Sequence, residues 1–251
     1  MVGASRNRTA RGQLPELVAP VAAYDAFAPR YRAYSERRKP YLHRVEEIVI
    51  AEAGTIRSLL DVGAGDGRRG LRIAKAVHAR RVVLLEPSAG MRAQCLEEVE
   101  VWPYPASEIS DAAPPFDMVL CLWNVLGHLR GAQEKVRVLS RLRNLLAPAG
   151  FIFVDVNHRY NAASYGWTRT LLRMAHDYVV RSEAQGDMVV SWNAGDRTIC
   201  TLGHVFTHKE IKRLFNAAGL KIAVRWVIDY EKGEKRRFSM SGQLLYQLTA
   251  E

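Results

Sequence analysis

An apolar run, Leu59-Leu60-Asp61-Val62, passes straight into Gly63-Ala64-Gly65-Asp66-Gly67 and then into residues with helical spacing. No other feature restricts the fold as much. A strand that ends in alternating glycines must turn tightly into a helix, and it leaves bare backbone facing whatever lies beyond the strand end. A tight turn alone would explain the glycines. Glu86 argues for more: it ends the next apolar run, nineteen positions beyond Gly67, where an acid can accept both hydroxyls of a ribose.

Charge then separates two ligand classes. The pyrophosphate of a dinucleotide sits at the helix N-terminus, where Asp61 and Asp66 would oppose it. The glycine that a dinucleotide loop requires at position 68 is Arg68. S-adenosylmethionine carries an ammonium and a sulfonium and no phosphate, so acids at the strand end suit it.

Around this loop, short β-rich runs alternate with helical segments, the pattern of an α/β domain with a doubly wound parallel sheet. The predicted strands are Ser58 to Val62, Arg81 to Glu86, Asp117 to Leu122 and Gly150 to Val156, with closing strands at Leu220 to Tyr230 and Gly242 to Leu248. Helices are predicted over Gly70 to Ala79, Gly90 to Val99 and Gln133 to Leu146, the last stopped by a Pro148-Ala149-Gly150 turn, and from the N-cap Thr207 to about Ala218. Residues 1–20 read as a flexible arm and 21–251 as one domain, opened by amphipathic helices over 21–55. An α+β cap is expected over 157–206: a helix from Ser164 to Val180, then two strands, Met188 to Trp192 and Thr198 to Phe206, joined by the turn Asn193-Ala194-Gly195-Asp196.

Of 251 residues, 48% are hydrophobic and 25% charged, which fits a folded globular chain and excludes disordered or fibrous classes. No apolar run approaches the about 18 residues of a membrane span, so no membrane partner is expected. Arg6, Arg8 and Arg11 are followed by no apolar segment of secretory type. Three scattered cysteines, Cys95, Cys121 and Cys200, match neither a disulfide framework nor a zinc motif, and the expected location is cytoplasmic. The net charge of +10 admits a nucleic-acid partner, although the basic residues are spread along the chain.

From Tyr24 to Leu248 the chain resembles the class I S-adenosylmethionine-dependent methyltransferases. The likeness rests on Asp61 to Gly67 (DVGAGDG), Leu84 to Ser88 (LLEPS), Pro115 to Leu120 (PFDMVL) and Leu145 to Gly150 (LLAPAG). It implies a Rossmann-like sheet of seven strands, mostly parallel with the last antiparallel, S-adenosylmethionine as cofactor and S-adenosylhomocysteine as product. By position, Asp61, Gly63, Ala64 and Gly65 would cradle the methionine part, Glu86 the ribose, and Ser107 or Glu108 the adenine amine, with Pro87, Ser88 and Met91 lining the walls. The segment Leu122-Trp123-Asn124-Val125-Leu126-Gly127-His128-Leu129 resembles a stretch of glycine N-methyltransferase-like enzymes, and Arg159 matches an arginine that reads a substrate carboxylate there.

The resemblance therefore places Leu122, Trp123, Asn124 and His128 at the cofactor, together with Tyr31 and Arg38 from the N-terminal helices. Tyr24, Asn157, Arg159 and Tyr160 fall at the acceptor. His128 is the candidate general base, since an imidazole titrates near neutrality. Asp155, Asn157 and His158 have ligand chemistry for a metal, but no complementary acid cluster exists, and none is expected. The expected reaction is methyl transfer to an N or O atom of a small-molecule acceptor by in-line displacement. An RNA-directed enzyme and a non-catalytic cofactor-binding module are the alternatives, and a homodimer is compatible with the sequence. An Asn/Asp-Pro-Pro-Tyr turn of the DNA amino-methylating type is missing after the fourth strand. Cys121 lies inside an apolar strand, which disfavours a cytosine-C5 nucleophile.

Overall fold

The computed structural model describes residues 17–95, 98–110, 112–180, 182–193 and 198–251. β1 (Ser58–Val62) lies inside the central sheet, pairing in parallel with β2 (Arg81–Leu85) on one side and β4 (Phe116–Cys121) on the other. β3 (Glu100–Trp102) extends the sheet beyond β2, and β5 (Leu146–Val156) beyond β4, both parallel. β10 (Gln243–Ala250) runs antiparallel between β5 and β8 (Leu220–Ile228), and the two-residue β9 (Lys235–Arg236) closes that edge. The order is thus β3-β2-β1-β4-β5-β10-β8-β9. This is the expected Rossmann-like sheet, with β9 making eight strands rather than seven.

Alternation along the strands builds two cores. Leu60, Val119 and Ile152 face α5 (Gly131–Asn144) and α8 (His208–Ala217), whereas Leu59, Leu120 and Phe153 face α2 (Lys39–Ala53) and α3 (Arg68–Ala76). Because β1 is covered on both faces, it reads as a nearly continuous apolar run. Its neighbours leave it in opposite directions, so a crevice opens at its C-terminal end, where such sheets bind ligands.

α1 (Pro20–Glu36) lies across that end. Asp25 docks it onto α4 (Ala89–Arg92) by accepting from Ser88 Oγ at 2.7 Å and from the Gly90 amide at 2.8 Å. Between β5 and α8 stand α6 (Ala162–Tyr165), α7 (Trp167–Val179) and a separate hairpin of β6 (Asp187–Asn193) and β7 (Thr198–His204).

Several expectations change. The expected flexible arm reaches residue 20, but the Val18 amide bonds the Cys200 carbonyl at 2.9 Å and α1 begins at Pro20; residues 1–16 lie outside the described residues. The helix expected over Gly90 to Val99 is one turn, Ala89–Arg92, capped by Ser88, and part of that range lies outside the described residues. α5 stops at Asn144, and the segment expected to be a turn at Pro148 is already in β5, with Ala149 at φ +63 and a register shift against β4. The single cap helix breaks at Gly166, whose φ of +83 ends α6 before α7 starts. The hairpin turn at 194–197 lies outside the described residues. Thr207 does cap α8, in a reciprocal box with Glu210. Among the described residues, no helix is long and apolar enough to cross a membrane.

Candidate active site

The glycine loop sits at the C-terminal end of β1, its first two amides held by the Leu85 carbonyl through Gly63 (2.8 Å) and Ala64 (3.1 Å). Gly63 and Gly65 have φ of +67 and +62, which L side chains rarely adopt. A Cβ on Gly63 would stand 2.6 Å from Val125, and one on Gly65 would stand 3.0 Å from the Tyr31 hydroxyl. Met91 and Ser88 are fully buried beside the loop, Met91 within reach of Gly65. Pro87 holds Arg92 through its carbonyl.

Glu86 is fixed by two backbone donors, Gly65 to Oε2 at 2.8 Å and Ser88 to Oε1 at 2.9 Å. Burial raises its pKa, and these two amides offset part of that rise. Asp61 is buried more completely, and Oδ1 has no hydrogen-bond partner among the described residues. Burial pushes it up to about 7, against the pull of Arg69 and with help from Glu86 and Asp66. Nη1 of Arg69 is likewise buried and unpartnered. The sequence reading passed over Arg69, although a signal existed: Arg68 and Arg69 occupy the first turn of α3, where a cation opposes the helix dipole.

These features fit S-adenosylmethionine. An unpaired acid matches its ammonium, an unpaired guanidinium matches its carboxylate, and the acid ending β2 matches the ribose, while Gly63 and Gly65 themselves face the Val125 and Tyr31 side chains. Arg38, expected at the cofactor, is committed elsewhere: Nη1 bonds Glu231 at 2.6 Å and the guanidinium covers the Tyr230 ring. Ser107 and Glu108 lie in a short turn, Ala106–Glu108, whose Ser107 carbonyl accepts from Arg141, and the Glu108 side chain is exposed.

Beyond β4, Leu122 is buried in the core, and Trp123 and Asn124 both have left-handed backbone, at φ +66 and +62. Two such non-glycine residues in succession are strained, and Asp155 holds them: Oδ1 accepts from both amides while Oδ2 accepts from Tyr41 at 2.5 Å. Asp155 is thereby occupied as a clamp. The Asn124 side chain ties three segments, donating to the His204 carbonyl at 3.1 Å and accepting from the Asn157 amide at 2.9 Å.

His128 closes the next turn. Its Nε2 lies 3.0 Å from the Tyr24 hydroxyl, and Nδ1 is buried without a hydrogen bond of ordinary length. Burial pushes His128 down to about 4, the Leu202 carbonyl offsetting only part of the fall, so the ring is neutral near pH 7. Around it α1 brings Tyr24 and Phe27 against Trp192, and Tyr34 and Tyr31 against Trp123. The result is a narrow chamber of about 70 Å³ that also touches Asn157 and Tyr165 and, among the described residues, has no Asp, Glu, Lys or Arg in its lining. Arg159 and Tyr160 are outside that lining, since both bind Asp177, the guanidinium at 2.5 and 2.6 Å and the phenol at 2.7 Å. Trp192 and Tyr230 complete the walls.

Residues 60–152 match the family model described as a methyltransferase domain. No curated protein matches the chain. Among solved structures, an S-adenosylmethionine-dependent methyltransferase from Clostridium acetobutylicum ATCC 824 shares 12% identity at a TM-score of 0.63, covering 90% of this chain and 98% of the other. The CcbJ methyltransferase from Streptomyces caelestis shares 16% at 0.62, covering 85% and 90%. The 1,6-didemethyltoxoflavin-N1-methyltransferase of Burkholderia thailandensis shares 19% at 0.60, covering 95% and 93%. At such identities the likeness is one of fold.

Proposed function

We propose that this chain, a class I S-adenosylmethionine-dependent methyltransferase by its matched domain and its fold, methylates a nitrogen of a small, planar acceptor that enters its aromatic chamber uncharged. The carrying observation is the chamber itself: aromatic walls, no Asp, Glu, Lys or Arg among its described lining residues, a neutral, buried His128, and a second histidine, His204, whose ring nitrogens are already taken by Asp187 and Glu210 at 2.6 and 2.7 Å. An ionic acceptor would be stripped of water there without a counter-charge, at a cost of several kcal/mol. The Burkholderia thailandensis neighbour, named as an N1-methyltransferase, supports nitrogen over oxygen.

When bound, S-adenosylmethionine supplies an electrophilic methyl on a sulfonium that departs as a neutral thioether. The chain contributes position and a proton acceptor. Asp61 and Arg69 would take its two charges and Glu86 its ribose, beside the tight Gly63–Gly65 turn. Such alignment contributes ~7–11 kcal/mol in well-oriented reactions. The faces of Tyr31 and Trp123 offer electron-rich surface to a cation. As the acceptor nitrogen gains the methyl it must shed a proton, and His128 is the neutral base in the chamber, its ring held by Tyr24.

RNA fits less well. The basic concavity between α8 and β8, with Lys212, Lys221 and Arg225, shares no residue with the chamber. The test is transfer of isotopically labelled methyl to panels of heteroaromatic amines, alkyl ammonium compounds, phenols and RNA. Turnover on the first panel, reduced at least tenfold in His128→Gln, is the expected result. Turnover only on RNA or on permanently charged acceptors would refute the reading.

A further inference from the structure

α7 is turned inside out. Its inward side carries fully buried Thr170, Arg173 stacked 4.6 Å over Tyr165, and Asp177 paired with Arg159. Its outward side carries Trp167, Leu171, Met174 and Tyr178, spaced i, i+4, i+7 and i+11, with Leu172 and Val179 alongside. Tyr178 is 83% exposed, Leu172 66% and Trp167 63%. At 100° per residue these six side chains, with Thr168 and Ala175, span roughly 160° of the helix without a single charge. A soluble chain rarely leaves such a face in water.

We propose that this face is the seam of a homodimer, in which α7 packs antiparallel against α7 of a second copy. The spacing is that of a helix-to-helix seam, and one stripe meets its own copy across a two-fold axis without needing a complementary surface elsewhere. The exposed fractions amount to on the order of 650 Å² of side chain, most of the about 800 Å² per partner that a stable interface covers. A lipid surface is the weaker occupant. Arg173 and Asp177 are already engaged inward, which leaves Arg169 and His176 as the basic groups at the margin of the face. Since Tyr165 lies under Arg173 and lines the acceptor chamber, pairing of α7 also braces one chamber wall. The dimer stands whatever the acceptor proves to be.

Sedimentation equilibrium on the full chain tests this. The wild type should show twice the monomer mass, and Leu171→Glu combined with Tyr178→Glu should halve it with an unchanged circular dichroism spectrum. In a Cys95→Ser background, Ala175→Cys should form an intermolecular disulfide under mild oxidation, while the parent, whose remaining Cys121 and Cys200 are buried, forms none. A wild type that stays monomeric at every concentration, a double variant that stays dimeric, or a wild-type monomer that sediments with phosphatidylglycerol vesicles would each overturn the proposal.

Discussion

Asn in place of Asp61 should stabilise the protein while disabling its cofactor site. Asp61 is buried, has an unpartnered Oδ1, and holds its proton up to about pH 7 rather than the ordinary 3.8. A rise of that size means that ionised Asp61 costs the folded chain on the order of 4 kcal/mol, and about 2–4 kcal/mol once local relaxation is allowed for. The sign follows from linkage. The folded acid binds its proton more tightly than the unfolded one, so stability is greatest below the unfolded value, falls as pH rises towards about 7, and levels off above it. Asn carries no such proton. Urea denaturation without cofactor should therefore show Asp61→Asn nearly equal to wild type near pH 4 and more stable by about 2–4 kcal/mol above pH 7. Affinity for S-adenosylmethionine should meanwhile fall by roughly 10- to 100-fold, the worth of a charge-assisted hydrogen bond to its ammonium. A variant that is less stable at high pH, or whose advantage does not change with pH, would refute the reasoning.

Glu86→Ala should weaken S-adenosylhomocysteine binding at least tenfold by calorimetry, because the ribose contact and the anchor of the Gly65 amide are lost together. His128, pushed down from 6.5 to about 4, makes the folded state lose stability as pH falls from about 6.5 towards 4; turnover at saturating S-adenosylmethionine should hold its plateau above about pH 5, and thermal melts of His128→Asn should show a shallower acid decline. Asp177→Ala leaves the Arg159 guanidinium buried and unpaired, and should cost about 3–5 kcal/mol in denaturant unfolding if the cap unfolds with the core.

What could be read in advance was local. The glycine loop, Glu86 and the Thr207 cap each declare themselves within a few residues, because a positive φ favours glycine and a side-chain acceptor at a helix start favours Ser, Thr, Asp or Asn. β3 escaped notice because three residues are too few to display an alternating pattern. Arg38 and Arg159 looked available for ligands since a sequence counts charges without pairing them. Their partners, Glu231 and Asp177, stand 193 and 18 positions away. Tyr24, Phe27, Tyr31 and Tyr34 stand at helical spacing, but nothing in that spacing announces that Trp123 and Trp192 meet their face. Arg69 was visible as an anomaly, a cation at a helix start, and its meaning required the unpaired Asp61 beside the same loop.

The most direct trial of the account is calorimetric titration of the intact chain with S-adenosylmethionine and, in parallel, with a nicotinamide dinucleotide. Saturable one-to-one binding of the sulfonium compound, weakened by roughly 10- to 100-fold in Asp61→Asn and absent for the dinucleotide, is the expected outcome. Tighter binding of the dinucleotide, or no heat with either, would contradict the assignment of the crevice at the end of β1.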